Sequence, residues 1–170
     1  PVDNVAIACR TLQFNVGGTV TGLEGSGLVL RLNGANDLAI GDDGSFTFDQ
    51  PQDSGSSYAV TVFTQPAGPP QTCTVEGGEG TVGDRHVRSV HVTCALNTYP
   101  ISGSVAGLIG GSVVLQNNGG DPIEIASNGA FPPFPTQIAT GGPYNVTVLT
   151  QPASPRQSCT VANGAGTVGS

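Results

Sequence analysis

The sequence predicts an all-β protein built from two tandem antiparallel β-sandwich modules, and three observations predict it. Glycine and proline supply 26 and 13 of the 170 residues, a composition that disfavours helices and favours short strands joined by turns. Apolar and polar residues alternate over short runs, the period of a strand with one buried face. The chain also repeats itself at a spacing of about 85 residues, so one module explains both halves.

The repeat aligns almost throughout. Phe14 to Leu23 matches Tyr99 to Leu108, Leu28-Val29-Leu30 matches Val113-Val114-Leu115, and Asn33-Gly34 matches Asn118-Gly119. Asp43-Gly44-Ser45-Phe46 matches Asn128-Gly129-Ala130-Phe131, and after one inserted residue near Pro133-Phe134 the match resumes. Tyr58 to Pro66 then matches Tyr144 to Pro152, Gln71 to Val75 matches Gln157 to Val161, and Gly80 to Gly83 matches Gly166 to Gly169. The ends are unequal. The first copy runs on into Val87 to Cys94, whereas the second stops before that strand at Ser170. The counterpart stands at the other end: Val2 to Cys9 aligns with Val87 to Cys94 without a gap. The expected organisation is an N-terminal donor strand (1–12), a complete module (13–97) and an open module (98–170).

Taken in order, the first predicted strand is the N-terminal one, with Val5, Ile7 and Cys9 on one face. Module one is predicted to hold strands over 18–23, 27–32, 38–40, 45–48, 58–64, 72–75 and 87–94. In the last of these Val90, Val92 and Cys94 share the apolar face, so the cysteine is buried with the core. Asp43-Gly44 and Asn128-Gly129 are expected as hairpin turns between strands. About seven strands at this spacing suggest an immunoglobulin-like or transthyretin-like sandwich.

Charge narrows the partners. A net charge of −7 argues against nucleic acid and against an anionic membrane surface, both of which call for a basic face. No apolar run is long enough to span a membrane, so no membrane insertion is expected. No signal peptide is visible, and the start at Pro1 suggests a processed or excised product. Cys9, Cys73, Cys94 and Cys159 contain no close pair of the kind zinc sites use. They read as disulfides in an oxidising compartment. Cys73 with Cys94 is the expected intrachain pair, and closing that loop contributes on the order of 3 kcal/mol. Repeat homology then sets Cys9 against Cys159, a pair expected to join neighbouring subunits.

No residue stands out as catalytic, no metal ligand set is marked, and no cofactor is expected. His86 and His91 do not recur in the second module and read as surface residues. Asp42-Asp43 and Asn36-Asp37 would suit calcium, but the repeat replaces them with Ser127-Asn128 and Asp121-Pro122. Glu76 and Glu79 likewise become Ala162 and Ala165. No GxSxG elbow is present, and no pair of carboxylates is singled out for glycoside chemistry. Asn145-Val146-Thr147 is a glycosylation sequon that reads more simply as strand. The five basic residues are all arginines, so lysine-based isopeptide cross-links are excluded and covalent reinforcement falls to the cysteines.

The pattern GxVxGL…GLVL…NG…GxFxF…YxVTVxTQPxxPxQxCTVxxGxGTV…VxVxC, which runs through the first copy and recurs with local departures and without its last strand in the second, resembles tandem repeats of large bacterial secreted and surface-anchored proteins. The resemblance implies an extracellular, cell-surface location and a spacer or fibre role, and no catalytic residue. The expected function is a structural subunit of a pilus-like fibre that polymerises head to tail with copies of itself. The donor strand, Val2, Val5, Ile7 and Cys9, would fill the open module of the next copy, since an unfilled sheet exposes a groove and unpaired backbone. Only Arg10 to Gln13 separate Cys9 from the first strand of module one, roughly 14 Å of extended chain, so closure onto the same chain's second module is not expected if the modules run end to end. A window of one continuous tandem-repeat adhesin or stalk predicts the same sandwiches and stays open. A carbohydrate- or surface-binding module is the remaining alternative, although Tyr58, Tyr99 and Tyr144 read as core or module-boundary residues rather than an exposed platform.

Overall fold

The computed structural model describes residues 3–169. These contain no helix, and they divide into two compact units between Ala95 and Leu96, two residues before the boundary expected from the repeat. Each unit is a β-sandwich.

Module one contains β1 (Gln13–Phe14), β2 (Val16–Thr21), β3 (Leu28–Leu32), β4 (Asn36–Ile40), β5 (Gly44–Thr47), β6 (Gln52–Asp53), β7 (Ser57–Thr64), β8 (Gln71–Glu76), β9 (Glu79–Thr81) and β10 (Val87–Leu96). Two four-stranded sheets face each other, in the orders β5-β2-β10-β8 and β4-β3-β7-β9, with β1–β6 as a small antiparallel pair. Alternation places Val16, Val20, Leu28, Leu30, Leu32, Phe46, Phe48, Val60, Val90 and Val92 in one core between the sheets. The pairings β2–β5, β3–β4, β3–β7 and β7–β9 are antiparallel, and β2–β10 is parallel, with Val90 opposite Gly18 and Val92 opposite Val20. The last strand is therefore an interior strand, held between β2 and β8, and not an added edge.

Module two contains β11 (Thr98–Tyr99), β12 (Gly103–Val105), β13 (Val113–Asn117), β14 (Gly120–Ile125), β15 (Gly129–Phe131), β16 (Ile138–Ala139), β17 (Pro143–Thr150) and β18 (Ala165–Thr167). The sheet β14-β13-β17-β18 repeats β4-β3-β7-β9 strand for strand. The facing sheet is reduced to the pair β12–β15. Residues 157–161, the counterpart of β8, belong to no strand. The inserted residue before Phe134 leaves the core motif intact: Phe46 packs edge-on against Phe48 at 5.9 Å, and Phe131 against Phe134 at 6.1 Å.

The turns differ from expectation in one respect. Asp43-Gly44 is not a hairpin turn, because β4 pairs with β3 and β5 with β2, so the chain crosses there from one sheet to the other. Asn128-Gly129 makes the same crossing in module two. The tight hairpin turns lie at Asn33-Gly34 and Asn118-Gly119, where all four residues have positive φ, between 52° and 76°. Consecutive positive φ values are what a two-residue hairpin loop requires, and Asn-Gly supplies them at least strain.

Candidate functional site

Module two carries a groove of about 840 Å³ on its reduced sheet, lined by apolar side chains that include Val105, Val113, Leu115, Phe131, Val148 and Cys159. It runs between β12 and the segment 157–161, the place that β10 holds between β2 and β8 in module one. The effect on burial is direct. Val16, Val20, Tyr58, Cys73 and Val82 are buried in module one, whereas their counterparts Ile101, Val105, Tyr144, Cys159 and Val168 are only half-buried.

The N-terminal segment has the opposite character. Residues 3–12 lie in no strand. Val5 is 77% exposed and Ile7 85%, while the β10 residues they align with, Val90 and Val92, are 0% and 1% exposed. Val2, the first residue of the expected donor strand, lies outside the described residues. Module two thus carries an apolar groove, and the N-terminal segment by itself is an alternating apolar stretch with no core of its own.

The cysteines follow the same division. Cys73 and Cys94 form a disulfide with Cα atoms 3.9 Å apart. It joins β8 to β10, neighbours in one sheet, and does not bridge the two sheets. Cys9 is an exposed thiol and Cys159 a half-buried one in the groove wall. Replacing Cys73 and Cys94 together by alanine is expected to lower the unfolding free energy of module one by about 3 kcal/mol. Calorimetry should show that transition moving while the module two transition stays in place.

Amide side chains hold the groove wall. Gln151 pairs with both backbone groups of Cys159, accepting from its N–H at 2.7 Å and donating to its carbonyl at 2.9 Å. Gln65 makes the same pair of bonds to Cys73, at 2.7 and 3.0 Å. Gln157 accepts from the N–H of Ile109 and donates to the carbonyl of Gly107. Its counterpart Gln71, nearly fully buried, accepts from Glu24 and Gly25 N–H groups and donates to Gly22. Nothing in the composition pointed to these glutamines. The signal was their recurrence at matching repeat positions, Gln65 with Gln151 and Gln71 with Gln157.

The other candidate residues have structural partners. The Asp43 carboxylate accepts from the backbone N–H groups of Gly22 and Leu23, and Asn128 clasps both backbone groups of Leu108. Both side chains tie the sheet-crossing turn to the loop that leaves β2 in module one and β12 in module two. His86 accepts from Asn15 N–H through Nδ1 and meets Phe14 edge-on, and Nδ1 of His91 lies 3.0 Å from Thr19 Oγ1. Tyr58 is buried and Tyr99 and Tyr144 are half-buried. Phe63 is exposed, but the Arg31 guanidinium stacks on its ring at 3.2 Å and is itself held by Asp37. The Arg31 side chain lowers the Asp37 carboxyl below its ordinary value by hydrogen bonding. Module two has Gln116 and Leu149 at the Arg31 and Phe63 positions, so this stack does not recur.

No protein-family model matches the chain, and no curated protein or solved structure matches it either.

Proposed function

We propose that the chain is a structural subunit of an extracellular bacterial fibre, in which the N-terminal segment of one copy fills the groove of module two in the next. The observation that carries this is the pairing of a vacant β10 position in module two with an exposed segment that aligns with Val87 to Cys94 without a gap and keeps the apolar alternation of β10. Burying Val5 and Ile7 as Val90 and Val92 are buried contributes roughly 3–6 kcal/mol, before the backbone ladder on both sides of the strand is counted. By the register of β10 on β2, Val5 lies opposite Gly103 and Ile7 opposite Val105. Cys9 then takes the place of Cys94 beside Cys159, and a disulfide there locks the junction. The oxidising surroundings implied by Cys73–Cys94 suit that bond.

The linkers support the same reading. Leu12, three residues after Cys9, is anchored to module one by Ser54 N–H at 2.8 Å, and Asn97, three residues after Cys94, is anchored by Thr140 N–H at 2.9 Å. A subunit junction and a module junction thus use the same length of chain between the same kinds of anchor. One position departs from the copy. Asn163 stands where module one has Gly77, at which a Cβ would come within 2.7 Å of Ser89 O. The donor therefore docks a little wider at Asn4 than β10 does at Ser89.

Denaturing electrophoresis of native material, with and without reductant, tests the proposal together with electron microscopy. A ladder in steps of one chain, collapsing to 17.0 kDa on reduction, is the expected result. A very large species indifferent to reductant means a continuous array, in which the filling strand follows on the same polypeptide. A single-chain band under both conditions, from material that forms no filaments, overturns the fibre. Filaments whose subunits separate without reductant retain strand exchange and remove the covalent lock.

A further inference from the structure

We infer that Gln151 is a positioning residue of the acceptor groove: it holds the Cys159 segment as a ready-made strand and sets which of its backbone groups face the incoming donor. The inference rests on the donor-strand reading and adds to it the means by which Cys159 is presented to Cys9.

In module one β8 is the outermost strand of its sheet, with β10 on its inner side. Gln65 lies along the outer side and bonds both the N–H and the carbonyl of Cys73, as a neighbouring strand would. In an extended segment the N–H and C=O of one residue point to the same edge, and those of the next residue to the other. With Cys73 turned outward to Gln65, the ladder to β10 falls to the residues on either side of it. The cysteine backbone stays out of that ladder while its sulfur crosses to Cys94.

Module two retains the clasp although nothing lies on the inner side. The two Gln151 bonds to Cys159 match those of Gln65 to within about 0.1 Å, and Gln157 ties the start of the segment to the 107–109 loop. Residues 157–161 carry no strand pairing, yet at Cys159 both outward backbone groups are already bonded. The backbone groups of Ser158 and Thr160 then point into the groove, and the Cys159 side chain stands where Cys73 stands before its bond to Cys94. A segment ordered in advance costs the docking strand little conformational entropy. Its fixed phase lets one register place Cys9 against Cys159.

Locking then proceeds by thiol–disulfide exchange. Each thiol loses a proton, the two sulfurs join, and one molecule of glutathione disulfide is reduced to two of glutathione. The experiment follows this step on full-length chain in a glutathione redox buffer, by quenched non-reducing gels, beside light scattering of the same variants carrying Cys9→Ser. Gln151→Ala is expected to slow formation of the linked dimer at least about tenfold, from the loss of two hydrogen bonds that order the segment, and by more than it slows non-covalent assembly. Gln151→Glu keeps the acceptor for Cys159 N–H and loses the donor, so it is expected to fall between wild type and alanine. It carries the test if the alanine variant misfolds. Gln65→Ala, in module one, should leave locking at the wild-type rate. Locking by Gln151→Ala at the wild-type rate, or slowed only as much as assembly, overturns the inference while leaving strand exchange standing. Failure of the wild-type chain to assemble overturns both, whereas assembly without locking overturns the inference and leaves strand exchange standing.

Discussion

Replacing Ile7 by aspartate is expected to abolish assembly while leaving the melting of the unassembled chain unchanged. Ile7 is exposed in a segment that belongs to no strand, so the substitution removes no contact from either module. In the docked strand it occupies the position of Val92, which is 1% exposed between the two sheets. A carboxylate there has no cationic partner, and burying it unpaired costs at least about 4 kcal/mol, a thousandfold in affinity. Sedimentation and calorimetry on one preparation read both parts of the expectation. Ile7→Val, which copies β10, should assemble as wild type does, and polymer formed by the aspartate variant would sink the assignment of Ile7 to the donor face.

The second large effect comes from a glycine on the acceptor side. A Cβ on Gly18 would lie 1.8 Å from the carbonyl oxygen of Val90, backbone that cannot move aside while β10 is seated. Gly103 is the same position in module two, where the nearest atoms are the edge of the Phe131 ring at 2.9 Å. A ring can turn away and a strand backbone cannot. Gly103→Ala is therefore expected to weaken donor docking by roughly 3 kcal/mol or more, above a hundredfold, while shifting module two stability by no more than about 1 kcal/mol. The same change at Gly18 should instead destabilise module one, because β10 is part of that fold. Assembly of Gly103→Ala at the wild-type concentration would mean that the donor does not follow the β10 register.

Alternation in Val90, Val92 and Cys94 made the buried face of β10 legible, and the repeat made the unequal ends of the two copies legible. Neither could reveal which strands β10 touches. A period of two reports the face of a strand and says nothing of its neighbours, so the place of β10 between β2 and β8, parallel to β2, appears only in three dimensions. Asp43-Gly44 was misread for a related reason. A turn dipeptide signals a reversal, but local chemistry does not say which sheet the next strand joins. The stronger hairpin cue was Asn33-Gly34 and its copy Asn118-Gly119, noticed as repeat and not used as turns. The Gln65 and Gln151 clasps leave no periodic trace, since each bonds a backbone eight residues away, and only the recurrence of the two glutamines in the repeat marks them.

The Cys73–Cys94 bond bears on how the chain responds to tension. It lies across a stretch of chain 21 residues long, which includes β9 and most of β10. Once a pull has opened module one, that stretch stays out of the load path, because force passes from sulfur to sulfur. About 70 Å of contour is withheld for each closed disulfide. A thread of such modules gives up little slack when one yields, and a reductant, by opening the bond, lengthens it without cutting it.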